Sequence, residues 1–404
     1  MSELYKLPKG WEWKQLGDIS KLIGGGTPKR NMNEYWDNGN IVWLSPTDLG
    51  KIGDIIYISD SKDKITQLGL DKSSAKLLPV GTVLYSSRAT IGKIAINTIE
   101  VSTNQGFTNF ICNENLNNRY LAYILSRFTP EITSLSNSTT FKEVSKTSLK
   151  KFQIPLPPLQ EQQRIVTKLD TLFEKIDKVI ALHQKNMDEA DVFMGSVLNE
   201  VFGELEEKKL IVAKQLDECF IVKDGTHDSP KYVDNGFPLF TSKNLKDYGL
   251  DTSNFKSITK EDYEKINQRS KVDKGDLLFA MIGTIGNPTI VNYEPNFAIK
   301  NVALFKPLDN KSLITYLKYY FMSEKITTKM KNEANGATQK FVGLTYLRKF
   351  PFPLVAVEVQ QQIVSYLDSI SQKTEKLKAI QKEKMQSLIA LKASILDQAF
   401  RGEF

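Results

Sequence analysis

Downstream of Pro155, Pro157 and Pro158, the apolar residues Ile165, Leu169, Leu172, Ile176 and Val179 fall at alternating steps of four and three, and Val166, Phe173 and Ile180 widen the stripe. That spacing predicts a long amphipathic helix with a coiled-coil seam. A second stripe, Ile363, Leu367, Ile370, Thr374 and Leu377, resumes at Leu388, Leu391 and Ile395. Neither stretch contains Pro after its start, so each is expected to run for about 40 residues, or about 60 Å at 1.5 Å per residue. Two such helices in one chain bury their seams on each other. Because a module of some 140 residues separates them, the second can return antiparallel to the first with one module at each end; parallel packing is the alternative.

Between the helices the pattern changes to short runs. Val83 to Ser86 with Ile94 to Ile96, and Leu277 to Ala280 with Thr289 to Val291, read as paired strands around glycine-containing turns. Helical patterns occur at Arg119 to Arg127 and Ser312 to Met322, and turn clusters at Gly24 to Pro28 and Asp224 to Pro230. The modules are therefore expected to be mixed α/β.

The chain repeats itself. At a constant offset of 198, Phe152, Pro155, Leu156, Gln162, Gln163, Ile165, Val166, Leu169 and Asp170 recur as Phe350, Pro353, Leu354, Gln360, Gln361, Ile363, Val364, Leu367 and Asp368. The offset also pairs Lys142 with Lys340 and Leu149 with Leu347, and gapped matches such as Thr90 to Gly92 with Thr284 to Gly286 continue earlier in each half. A period this long reads as domain duplication rather than a solenoid. The segments follow: a module at 1–151, a helical region at 152–207, a second module at 208–349 and a second helical region at 350–404.

Composition narrows the class. A chain of 404 residues with 41% hydrophobic positions supports two or three ordinary domains. Cys112 and Cys219 are its two cysteines, which excludes a disulfide framework or a Cys-based zinc site and suits a reducing cytoplasm. No apolar run approaches the roughly 20 residues that span a bilayer, so no membrane partner is expected. The net charge of +7 is unevenly distributed: the four segments carry +5, −6, +7 and +1 in order. The two modules are basic.

Catalytic chemistry is thin. Gly24, Gly25 and Gly26 are not followed by the Lys and hydroxyl residue that close a phosphate-binding loop. Asp188, Glu189, Ala190 and Asp191 spell a helicase tetrapeptide but sit within the first heptad stripe, where they read as a solvated acidic face. His183 falls on the seam and is offset-matched by Gln381, so it reads as a polar residue fixing helix register. Neither the Asn/Asp-Pro-Pro-aromatic motif of an amino-methyltransferase nor a nuclease's carboxylate cluster is present.

The remaining polar clusters suit nucleic acid. Lys29 and Arg30 beside Tyr35 and Trp36, Arg88 with Thr90, Asn104 with Gln105, and Lys142 are candidates in the first module. Lys223, Thr226, His227, Lys231, Lys243 with Asn244, and Gln339 with Lys340 are candidates in the second. Cations neutralise phosphates, and amides, hydroxyls and imidazoles reach base edges. His227 also has the plain reading of a solvated turn residue.

These features together resemble the specificity subunits of Type I restriction-modification enzymes. The resemblance rests on Gly25 to Pro28 with Tyr35, Trp36 and Trp43; Arg88 to Ile91; Asn104 to Phe107; Ile154 to Pro158 with Gln162, Ile165 and Asp170; Asp224 to His227; Gly283 to Asn287; Gly336 to Lys340; and the closing Ala399, Phe400, Gly402 and Glu403. It covers essentially the whole chain. Val355 to Val357 departs from the proline-rich stretch of the first half. The resemblance implies an α+β chain in which two mixed α/β target-recognition domains are separated by two long antiparallel coiled-coil helices, internally duplicated with pseudo-two-fold symmetry. It implies a non-catalytic, sequence-specific DNA-binding subunit for a bipartite asymmetric site. Its partners would be double-stranded DNA, two methyltransferase subunits and restriction subunits. No cofactor is expected in this chain; S-adenosylmethionine, Mg and ATP would belong to the partners. A methyltransferase or nuclease with its own catalytic site, and a coiled-coil scaffold without DNA contact, are the alternatives.

Overall fold

A computed structural model of the chain describes residues 5–136, 142–208, 211–246, 249–309, 313–336 and 340–404. The chain divides into two compact units, residues 1–182 with 384–404, and residues 183–383. Each long helix is thereby divided between the two. The central helix, Leu159–Glu207, and the C-terminal helix, Val357–Arg401, have 49 and 45 residues, longer than the sequence pattern alone suggests.

In the first unit a five-stranded sheet runs in the order Ser20–Gly24, Phe107–Cys112, Val83–Ser86, Ile94–Asn97, Ile55–Ile58. Its last pair is parallel and the others antiparallel. Its central strands are apolar at successive positions because both faces are covered. Val83, Tyr85, Ile94 and Ile96 join the core with Tyr120, Leu121 and Ile124 of the helix Asn118–Ser134. Leu84 and Ala95, pointing the other way, pack with Val42 and Leu44 of a three-stranded sheet built from Asp63–Ile65, Ile41–Leu44 and Ser102–Thr103. The helix, expected to end near Arg127, continues past Pro130.

The second unit repeats this plan with changes. A four-stranded antiparallel sheet runs Phe220–Asp224, Val302–Pro307, Leu277–Ala280, Gly286–Ile290. Leu277, Phe279, Ala303 and Phe305 pack on the helix Ile314–Met322, while Leu278, Ala280, Val302 and Leu304 pack with Phe240 and Ile299 of a second sheet. The expected strand pairs are present: Val83 faces Ile96, and Leu277 faces Ile290.

Each module is closed by a strand pair that sequence pattern did not reveal. Glu12–Gln15 pairs antiparallel with Gln153–Leu156, and Val212–Gln215 with Pro351–Leu354. Inside each, the same side chains make the same bonds. Tyr120 Oη donates to the Pro155 carbonyl at 2.9 Å, and Tyr316 Oη to that of Pro353 at 3.0 Å. Tyr123 and Tyr319 donate to Asp170 and Asp368. Gln162 and Gln360, both fully buried, accept from the N–H of Asn117 at 2.8 Å and of Leu313 at 3.0 Å. The second helix therefore starts with the same glutamine anchorage although Val355 to Val357 replaces the prolines.

The helical seams are set by antiparallel contacts within each unit. In the first unit Asp177 of the central helix meets Lys392 at 2.7 Å, and Leu396, Ala399 and Phe400 share a core with Ile165, Leu169 and Phe173. In the second unit Asp191 meets Lys378 at 2.9 Å, and His183 hydrogen-bonds Gln381 as a register pair. Val179, Leu377 and Leu391, expected on the seams, are instead exposed. In the first unit Phe173, Ile176 and Leu396 are buried, with Ile180, Leu388 and Ile395 half-buried beside them, and in the second unit Thr374 and Gln381 are buried. Among the described residues, no helix is long and apolar enough to cross a membrane.

Candidate nucleic acid interface

The turns that carry the candidates in the first unit are stitched to one another. Gly26 N–H donates to the Thr103 carbonyl at 2.8 Å, and Thr27 Oγ1 donates to Gln105 Oε1. Gly25 makes this approach possible, since a Cβ there would lie 2.0 Å from the Asn104 carbonyl oxygen. Asn104 Oδ1 accepts from Gly106 N–H at 2.8 Å, and Ser87 N–H donates to the Gly106 carbonyl at 2.9 Å. From Ser87 the strip passes to Arg88, Ala89 and Thr90, where Ala89 adopts φ 61° and its N–H donates to the Lys142 carbonyl at 2.9 Å.

Arg88, Thr90, Gln105 and Lys142 are thus exposed along one continuous set of turns, with Asn104 half-buried among them. Arg88 faces Glu143 at 3.6 Å. Arg30 is held more firmly: its guanidinium lies 3.8 Å over the Trp36 ring and bonds Asp63 at 2.7 Å. Lys29 is exposed, and its carbonyl accepts from Trp36 Nε1 at 3.1 Å.

A matching strip runs through the second unit. Thr226 N–H donates to the Ile299 carbonyl at 3.1 Å, and Asn301 N–H donates to the Thr226 carbonyl at 3.2 Å. Ser242 Oγ donates to the Asn301 carbonyl at 2.7 Å and accepts from Ile282 N–H at 3.4 Å. Gly283 N–H then donates to the Lys340 carbonyl at 3.1 Å, the counterpart of the Ala89–Lys142 bond, and Gly283 has φ 77°. Thr226, His227, Lys243 and Lys340 lie along these turns. Lys223, half-buried in the strand Phe220–Asp224, and Lys231, whose N–H donates to Asp262 at 2.8 Å, take no part in the contacts that join the strip.

Asn244, expected at a base edge, is buried and saturated. It accepts from the Thr241 N–H at 3.0 Å and hydroxyl at 3.2 Å, and donates to the carbonyls of Asp251 at 3.1 Å and Asn254 at 2.7 Å. Its amide fixes its own loop, because a buried amide is costly unless each polar atom is paired. Gln339 lies outside the described residues.

His227 is an exposed candidate held at both ring nitrogens. Its Nε2 donates to Asp224 Oδ2 at 2.8 Å, and its Nδ1 lies 2.8 Å from the Asn301 amide oxygen. Arg269 closes on Asp224 Oδ1 and also donates to the Gly225 carbonyl at 3.2 Å. Sequence reasoning missed Arg269 and Asn301, since strand pairing and a turn bring them to His227 from distant positions. Among the described residues, no group of three or more His, Cys, Asp or Glu side chains is arranged to hold a metal.

Two duplicated α/β modules, each carrying a strip of cations, amides and hydroxyls on linked turns, define a class of protein built to present two different polar surfaces from one repeated scaffold. The family model described as "Type I restriction modification DNA specificity domain" matches residues 8–186 and again 211–384, and the chain belongs to this family. The MjaIX specificity subunit of Methanocaldococcus jannaschii is 36% identical over 178 residues, which are 44% of this chain and 41% of that protein. The chain thus matches less than half the length of that relative. The EcoKI specificity subunit of Escherichia coli is 24% identical over 98% of this chain and 90% of its own length. Among solved structures, a chain from a study of complex assembly and conformational transition in a type I R-M system aligns over 99% of this chain and all of its own, with a TM-score of 0.72 and 22% identity, and so shares the fold.

Proposed function

We propose that this chain is the DNA-specificity subunit of a Type I restriction-modification complex and recognises an asymmetric target in two parts, one part per module. The observation that carries the reading is a contrast within the family match. Scaffold bonds recur from one module to the other, whereas the residues on the strips differ, with Arg88 and Glu143 in one bridge and Ile282 and Phe341 in the corresponding bridge of the other. A repeated frame with unlike reading surfaces suits two unlike half-sequences.

In this reading the chain performs no chemistry. It directs two methyltransferase subunits, which would use S-adenosylmethionine on an adenine turned out of the duplex, and restriction subunits that would use ATP and Mg, in the cytoplasm. Arg88, Thr90, Gln105, Lys142, Thr226, His227, Lys243 and Lys340 are the proposed DNA contacts, with Lys29 and Arg30 flanking the first strip. Methylome sequencing of a host expressing the complex is expected to show a two-part motif. Exchanging residues 1–150 for the module of a relative should change one part only. A change in both parts, or in neither, would refute the modular reading.

A further inference from the structure

Asp224, His227, Arg269 and Asn301 converge in the second unit on an arrangement that packing alone does not require. The Asp224 side chain is 4% exposed and carries a charge, an expensive element to bury. Both of its oxygens are partnered, one by Arg269 and one by His227. The His227 side chain is 59% exposed, yet both ring nitrogens are engaged. Asn301 in turn has φ 55°, a left-handed conformation uncommon for a residue with a Cβ, and bonds to Thr226 and Ser242 hold it there. A buried carboxylate thus orients an exposed ring, and the ring abuts an amide on a constrained backbone.

Asp224, His227 and Asn301 line a recess of about 440 Å³ together with Met281, Ile282, Phe341 and Val342. Where the first unit bridges Arg88 to Glu143, this unit bridges the apolar pair Ile282 and Phe341, so the recess wall is particular to the second module. A recess lined by a carboxamide and by apolar side chains suits a heterocycle with donors and acceptors on its rim. The Asn301 amide oxygen meets His227 Nδ1 on one side, which leaves its second lone pair to accept from adenine N6 while the amide NH2 donates to N7 in the major groove.

We propose that this recess engages a nucleobase of the second half-sequence, with Asn301 as the specificity-determining residue for an adenine edge and Asp224, Arg269 and His227 as positioning residues. The proposal rests on the DNA-recognition function proposed above and names a contact within it.

The test is enrichment of randomised duplexes by the full chain, followed by sequencing. Asn301→Gly removes the carboxamide and keeps the left-handed backbone accessible, so its melting curve should match that of the unaltered chain. It should relax one A·T position in one half-sequence by about 5- to 150-fold, the range that corresponds to about 1–3 kcal/mol for a bidentate base contact. Affinity for random DNA and its salt dependence should stay within about twofold, because those report phosphate contacts. Asp224→Asn should relax the same position, a readout that a purely structural role would not confine to one base pair. Retention of every preference in Asn301→Gly, equal weakening at all positions, or relaxation at a G·C position would overturn the proposal. An unaltered chain that enriches no sequence would instead overturn the underlying reading of DNA recognition.

Discussion

Replacing Gln162 with Leu tests whether the glutamine anchorage holds each module to its helix. Gln162 is fully buried, accepts from Asn117 N–H at 2.8 Å, and donates to the carbonyls of Asn115 and Pro157, each at 2.9 Å. Leucine fills a similar volume but leaves one N–H and two carbonyls without partners. An unpaired buried group costs about 1–3 kcal/mol, and leucine recovers part of this by its apolar burial. A net loss of about 2–4 kcal/mol is expected, since carbonyls tolerate incomplete pairing better than N–H groups. Asn117 is also the N-cap of the helix Asn118–Ser134, accepting from Arg119 and Tyr120 N–H at 2.9 and 3.0 Å. The damage should therefore appear first at that helix end.

Hydrogen exchange resolved by residue is the assay. Amides of residues 117–121 should exchange about 30- to 1,000-fold faster, taking 1.4 kcal/mol per tenfold, while the equivalent anchorage at Gln360 and Leu313 keeps its protection. Unchanged protection at 117–121, or equal loosening of both units, would refute the argument that each anchorage serves its own module.

Burial raises the pKa of Asp397, but hydrogen bonds from Arg127 and Arg401 outweigh it and hold the carboxyl below its usual value. The stabilisation is present above the unfolded pKa and fades as pH falls through the folded one. Asp397→Asn should therefore cost about 0.5–1 kcal/mol at neutral pH, allowing for solvent screening. Denaturation midpoints of the two proteins should converge in acid. Gly25→Ala would set a Cβ 2.0 Å from the Asn104 carbonyl oxygen and 2.4 Å from that of Thr103. It should destabilise the first module by about 1–3 kcal/mol, read from thermal melts, and weaken the first half-sequence selectively. Lys142→Ala or Lys340→Ala, if each neutralises one phosphate, should lower the slope of log affinity against log salt by about 1 with sequence preference unchanged, as measured by gel shift across a salt series.

The duplication, the long helices and the paired strands were legible because each leaves a local or periodic trace: an offset of 198, a four-and-three stripe, a short apolar run bounded by glycine. The closing pair of Glu12–Gln15 with Gln153–Leu156 left none, since its partners lie about 140 positions apart and share no motif. The seam was legible in outline and wrong in detail. Every apolar residue at the right spacing was assigned to it, but burial is decided by the facing helix, and Val179, Leu377 and Leu391 fall outside the contact. Among the site candidates, residue type identified His227 and Asn244 equally. Only three-dimensional pairing separates an exposed ring held in place from an amide saturated by its own loop.

The strand pair that shuts each module also makes it a cassette. Glu12 lies opposite Leu156 and Val212 opposite Leu354, so the chain enters and leaves each module through one two-stranded doorway. Whatever lies between must return to that doorway and keep its anchorage to the helices, such as Asn117 on Gln162 and Tyr123 on Asp170, but lengthening a closed loop elsewhere costs little, about 0.6 kcal/mol per doubling. Insertions, deletions or replacements inside a module that spare these contacts therefore leave the frame outside it undisturbed. The stretches that leave the two doorways, Phe152 to Asp170 and Phe350 to Asp368, share nine residues at the same positions, so each module hands the chain on to a similar helix start. A lineage carrying this architecture can exchange one module for another without relearning how to fold the frame.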